Sequence, residues 1–208
     1  FETGVFDESA AEIVDYDPAT RMAFVVNANS GHIDVIDASS PAVPTLSGTL
    51  DVAADVAAAF SMETGDLGAA NSVSVSNNTV AVAIEADVKQ ANGYIAFYQT
   101  DGTFLSAVEA GALPDMVTFT PDGSKVVVAN EGEPNGDYSV DPEGSITIVD
   151  MSVGAANVTA ANVTQLDFRA FNSGGLTGPV RISAKAATVA ADLEPEYVAV
   201  SADSTMAY

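Results

Sequence analysis

Residues 113–151, LPDMVTFTPDGSKVVVANEGEPNGDYSVDPEGSITIVDM, recur in outline on both sides of themselves, and this repetition restricts the fold more than any other property of the chain. DMVTFT alternates and stops at Pro121-Asp122-Gly123, a turn tripeptide in which proline fixes φ and glycine admits positive φ. SKVVVAN runs back apolar, and after an acidic loop SITIVDM runs out again. The same order appears upstream as EIVDYD, MAFVVN and HIDVID, and again as NSVSVS, TVAVAIE and YIAFYQ. It begins once more downstream as PEYVAVS and TMAY. The residues opening the first strands, Glu12, Asn71, Asp115 and Glu196, are spaced by 59, 44 and 81.

Units of roughly 40 to 50 residues with several strands each are the signature of a β-propeller, whose blades hold about four strands. The expected fold is therefore all-β, with about three and a half four-stranded repeats at 11–51, 71–109, 115–151 and 195–208, as part of a seven-bladed ring. The excess length falls in two insertions, 52–70 and 152–193. In the first, Ala53 to Phe60 has helical spacing; in the second, NVTAANVTQLDFRAFN reads as strand and then helix. Residues 1–10, with Glu2, Asp7 and Glu8, suit an outer strand of a blade completed elsewhere, and MAFVVNA suits a strand covered on both faces. Because the fourth repeat breaks off at TMAY, the remainder of the ring is expected from the same polypeptide or from another chain.

No apolar run approaches the ~20 residues of a membrane helix, so no membrane span is expected. There is no cysteine, and hence no disulfide or thiolate metal site. Twenty-nine acidic against six basic residues give a formal net charge of −23, which repels nucleic acid and attracts cations. No phosphate-cradling glycine motif, Rossmann fingerprint or nucleophile elbow occurs, and the single histidine, His32, reads as a strand residue and not a triad member. Glu131 with Glu133 and Glu194 with Glu196 are nominal carboxylate pairs for glycoside chemistry, expected by chance in so acidic a chain.

A meander of antiparallel strands places the start of each first strand and the loop between second and third strands at one end, near the axis. Glu12, Asn71, Asp115 and Glu196 share that rim with Asn27, Asn29, Glu85, Asp87, Asn130, Glu131 and Glu133, and the loop beyond adds Asp137, Asp141 and Glu143. This is an all-oxygen set of carboxylates and amides, which suits calcium or another hard divalent cation such as magnesium. Clustered carboxylates also raise one another's pKa when no cation is present.

The strings FETGVFDESAAEIVDYDP, VVNANSG, ALPDMVTFTPDG, VVVANEGEPNGDYSVDPEGSI and ATVAADLEPEYVAVS resemble the choice-of-anchor I family. The resemblance covers most of the chain, and ANEGEP combined with DPEGS and DLEPEY is specific. It implies a propeller of secreted or surface-anchored bacterial proteins, often labelled alkaline phosphatase-like and related to an echinoderm mesenchyme-specific cell-surface glycoprotein. Export to a secreted, periplasmic or cell-surface location follows from it, as does a ligand of the phosphate or mineral-surface kind. The motif positions fall on Asn27, Asn29, Asn130, Glu131, Glu133, Asp137, Asp141, Glu143, Glu194 and Glu196, all expected at the rim. The expected function is a calcium-associated binding or structural module; the alternative is a metal-dependent phosphoesterase, with metals at Glu12, Asp115, Glu131, Glu133, Asp137, Asp141, Glu143, Glu194 and Glu196.

Overall fold

The computed structural model describes residues 1–6, 10–183, 185 and 188–208. Among the described residues twelve strands form three four-stranded antiparallel sheets, each a meander in chain order. The first holds β1 (Val14–Asp17), β2 (Met22–Asn27), β3 (His32–Asp37) and β4 (Thr45–Leu50). The second holds β5 (Leu67–Ser76), β6 (Thr79–Ala86), β7 (Asn92–Gln99) and β8 (Phe104–Ala112). The third holds β9 (Pro114–Phe119), β10 (Lys125–Asn130), β11 (Ser145–Asp150) and β12 (Val163–Asp167). This is the propeller-like blade arrangement expected from the repeats; among the described residues the three sheets do not close a ring.

The turn chemistry explains the register. Asn77 and Asn78 both adopt positive φ, 49° and 62°, which gives the two-residue hairpin between β5 and β6. Between β9 and β10, Gly123 takes φ +70°, its N–H donates to the Thr120 carbonyl at 2.7 Å, and Asp122 accepts from the Thr120 hydroxyl at 2.7 Å. The third sheet is completed by β12, inside the stretch read as an insertion. Two 3-10 turns, Ala155–Asn157 and Ala160–Asn162, lengthen the connection where the second sheet has the short turn 100–103.

The sheets stack face to face and bury two apolar layers. Phe24, Val26 and Ile33 of the first sheet meet Val73, Val80, Val82 and Ile84 of the second. On its other face the second sheet turns Ala81, Ala83, Ile95 and Phe97 against Val117, Val126 and Val128 of the third. Strand β6 is buried on both faces, which is why TVAVAIE is continuously apolar. MAFVVNA was expected to match it but does not: Phe24 and Val26 are buried while Ala23 and Val25 on the opposite face are half-buried.

Helix α1 (Val52–Phe60) closes the first layer where the alanine-rich run placed it. Its N-terminus is capped by Asp51, which accepts from the Ala54 N–H at 3.1 Å, and its end is set by Ser61 at φ 57°. Val52 and Val56 are fully buried, each worth about 1.5–3 kcal/mol. The innermost strands are stapled by side chains. Asp15 accepts from the Val75 N–H at 2.7 Å, while Ser72 and Ser74 accept from the N–H groups of Val117 (3.1 Å) and Phe119 (3.4 Å).

The fourth unit forms only the start of a hairpin. Ala199 and Tyr208 exchange both backbone hydrogen bonds, at 2.8 and 2.9 Å, and a single bridge joins Val200 to Ala207. Val198 and Val200 lie against Val127 and Ala129 of the third sheet, whereas Tyr197 is exposed. At the other end, residues 1–6 and 10 carry no strand; Asp7 and Glu8 lie outside the described residues.

Candidate functional site

The loops of the third sheet build the acidic rim by close backbone approach. Gly132 adopts φ +71°, and a Cβ there would meet the Glu143 carbonyl at 2.8 Å. Gly144 passes beneath the segment after the short helix α2 (Val189–Asp192); a Cβ would collide with the Leu193 carbonyl oxygen and lie 2.7 Å from Pro195 Cδ. The Gly144 N–H donates to the Ala190 carbonyl at 3.2 Å, and Glu131 and Gly132 donate to the Leu113 and Ala112 carbonyls. The strings NEGEP, DPEGS and DLEPEY therefore interlock, which only glycine at 132 and 144 permits.

Nine carboxylates contribute to one another's fields across this end. Burial first, then Asp115, Glu133, Glu196 and Glu194, push the Glu131 carboxyl up to about 7. Burial also raises Asp115, with Glu196, Glu85 and Glu12 adding to it and Lys89 opposing. Glu194 is raised by burial and then by Asp192, Glu133, Asp141 and Glu196. Glu85 is buried, accepts from Asn71 Nδ2 at 3.2 Å and lies 3.7 Å from the Lys89 ammonium. Asn71 also donates to the Pro114 carbonyl at 3.2 Å and so ties the second sheet to the third at the rim.

Other sequence-selected residues face elsewhere. Asp137 is fully exposed and accepts from the Ser139 N–H at 3.0 Å; the Ser139 side chain first and then this backbone contact lower its pKa and make it a turn-holding group. Glu143 pairs with Arg169, Nε to Oε2 at 2.6 Å. Asn27 holds the β2–β3 turn, donating to Asp34 at 3.0 Å and accepting from the Ser30 N–H at 3.2 Å; Asn29 is exposed in that turn. Asn130 is fully buried between sheets and donates to Ser145 and Thr147.

Sequence reasoning missed Lys89, one of the six basic residues that entered it only through the net charge. The ammonium sits at the rim as a built-in counter-charge, and its four-residue offset from Glu85 was the available signal. Among the described residues no group of three or more Asp, Glu or His side chains converges in a metal-holding arrangement. The rim gathers negative charge without a preformed coordination cage.

A family model described as the choice-of-anchor I domain matches residues 12–208. The chain belongs to the choice-of-anchor I domain family. No curated protein matches it. Among solved structures it is similar to a functionally unknown protein from Desulfotomaculum acetoxidans, at 14% identity and TM-score 0.45, over 80% of this chain and 50% of that one. It is also similar to a protein from Lactobacillus plantarum, at 17% identity and TM-score 0.45, over 75% and 41%. A eukaryotic initiation factor follows at 13% and 0.44, over 80% and 35%. The chain spans half or less of the length of these three proteins, and the architecture rests on its own strands and not on such distant likenesses. No helix among the described residues is long and apolar enough to cross a membrane.

Proposed function

We propose that this choice-of-anchor I domain is a secreted or cell-surface module whose acidic rim associates with cations, calcium foremost, and serves binding and not turnover. Surface placement is supported by the family match over residues 12–208. Cation association is carried by one observation: burial, and then repulsion from Asp115, Glu133, Glu196 and Glu194, push Glu131 up to about 7. A divalent cation in the rim reverses the sign of the field at Asp115, Glu131 and Glu194 and relieves that repulsion. Because the carboxylates do not converge, the association is diffuse, with weak affinity and little preference among divalent ions.

Calcium at a few millimolar should raise the melting temperature, whereas sodium chloride at equal ionic strength should raise it less. Equal shifts from both salts would reduce the effect to general screening. The rival phosphoesterase reading asks metals on the same rim to hold a phosphate ester and activate water. Metal-dependent hydrolysis of an aryl phosphate, lost in Glu131→Gln with Asp115→Asn, would replace the binding reading.

The outward faces support packing against further blades, from the same polypeptide or another chain. Val14 and Leu46 of the first sheet, and Tyr197 and Tyr208 beside the third, are apolar and exposed.

A further inference from the structure

A cleft of about 380 Å³ opens on the same end of the molecule, between the outer strands of the second and third sheets. It is lined by Gln90, Asn92, Glu109, Glu143, Gln165 and Arg169. The lining is organised before any ligand arrives. Asn92 Nδ2 donates to Glu109 at 2.7 Å, Arg169 Nε donates to Glu143 at 2.6 Å, and the Thr147 hydroxyl donates to Gln165 Oε1 at 2.8 Å. Those contacts fix the planar groups, and among the described residues the Asn92 carbonyl oxygen, the second Glu109 oxygen and the Gln165 amide hydrogens have no hydrogen-bond partner.

The support beneath is unusual for a mere surface dip. Thr147 and Asn130 are both fully buried and joined at 2.8 Å, so a polar chain runs from between the sheets to the cleft wall at Gln165. Gly111 lines the cleft, and a Cβ there would stand 2.8 Å from Asn130 Cγ. Asn130 lies directly under this wall, and its Oδ1 accepts no hydrogen bond among the described residues. Buried hydrogen-bonded chains of this kind rigidify the side chains they end on, here Gln165.

The chemistry narrows the occupant. Three carboxylates, Glu109, Glu143 and Asp167, face one guanidinium, which disfavours anions such as phosphate or sialylated chains. No group of acidic side chains here holds a metal geometry. The apolar lining is limited to Ala110, Ala112, Pro142 and Leu166, which offers no deep socket for peptide side chains. Fixed donors and acceptors set side by side, with the Arg169 charge taken up by Glu143 and Asp167 and with Glu109 as an acceptor, match hydroxyl groups, which donate and accept together.

We propose that the cleft between the second and third blades binds a neutral saccharide, one or two sugar rings of a surface glycan. The proposal stands on the cleft alone and is independent of the cation reading. Without an aromatic platform in the lining, the affinity is about millimolar, which suits repeated weak contacts on a displayed surface. The test applies the intact protein to a glycan microarray holding neutral and acidic members, followed by titration of the strongest neutral binder. Binding to neutral glycans is expected, and Gln165→Ala and Asn92→Ala should each weaken it by about three- to ten-fold, the span of one lost hydrogen bond. Both residues lie at the surface, so unchanged melting temperatures would show that the loss is local. No neutral binder, selection of acidic glycans alone, or binding that survives both substitutions overturns the assignment.

Discussion

Replacing Glu131 by glutamine keeps the shape of the side chain and removes the charge that the rim resists. A carboxyl moved from 4.5 to about 7 is, at face value, worth about 3 kcal/mol of destabilisation when ionised. Glu131 is partly open to solvent, and screening reduces that figure to about 1 kcal/mol. The folded-state pKa is raised above the unfolded value, so the fold binds the proton more tightly. Wild-type stability therefore falls as pH rises from about 4.5 to about 7 and is level above that. Glu131→Gln should match wild type near pH 4 and exceed it by about 1 kcal/mol at pH 8, a rise of about 2–4 °C in a domain of this size. Urea or thermal unfolding of both proteins at the two pH values reads the difference directly. A substitution that destabilises at pH 8, or gains equally at both pH values, would refute the electrostatic account of the rim.

Gly144→Ala drives a methyl group into the Leu193 carbonyl and Pro195, so a loss of about 2 kcal/mol or more is expected in denaturant unfolding. Ser72→Ala leaves the Val117 N–H in a buried place without its acceptor and should cost about 1–3 kcal/mol by the same assay. Tyr98 is fully buried and donates to Asp55 at 3.1 Å, which ties the second sheet to α1; Tyr98→Phe should cost about 1 kcal/mol, with circular dichroism unchanged.

The third unit was the most legible part of the sequence because two independent signals coincide there. Alternation in DMVTFT and the Pro121-Asp122-Gly123 turn specify the same register, and β9, β10 and β11 follow it. The outer strand β12 lacked that support. Four of its five residues are exposed, so no buried face imposes a period, and no tight turn precedes it. MAFVVN misled in the opposite sense, since a continuous apolar run does not reveal how much of each face a neighbour covers.

At the rim, strand ends were readable and side-chain directions were not. Asp115 lies in β9 and Glu131 directly follows β10, strands whose placement follows from the meander, and Asp115 adds to the burial that raises the pKa of Glu131. Asp137 and Glu143 sit in a loop whose path depends on how closely Gly132 and Gly144 approach other backbone, a three-dimensional property without a local signature. Lys89 needed the fold to bring its ammonium to Glu85, because the four-residue offset between them gains meaning only once the turn between β6 and β7 is formed.

The chain order of the sheets also dictates how this molecule assembles. Every ladder joins strands adjacent in sequence, across connections running from the two residues of 77–78 to the fourteen of 131–144. Each sheet can thus zip up from a contiguous segment at small loop-closure cost, before any face meets its neighbour. Docking of preformed sheets, and not strand exchange between them, becomes the late step. The middle sheet then acts as the nucleus on which the outer two condense, and amide protons of Val80 to Ile84 should be the last to exchange with deuterated solvent.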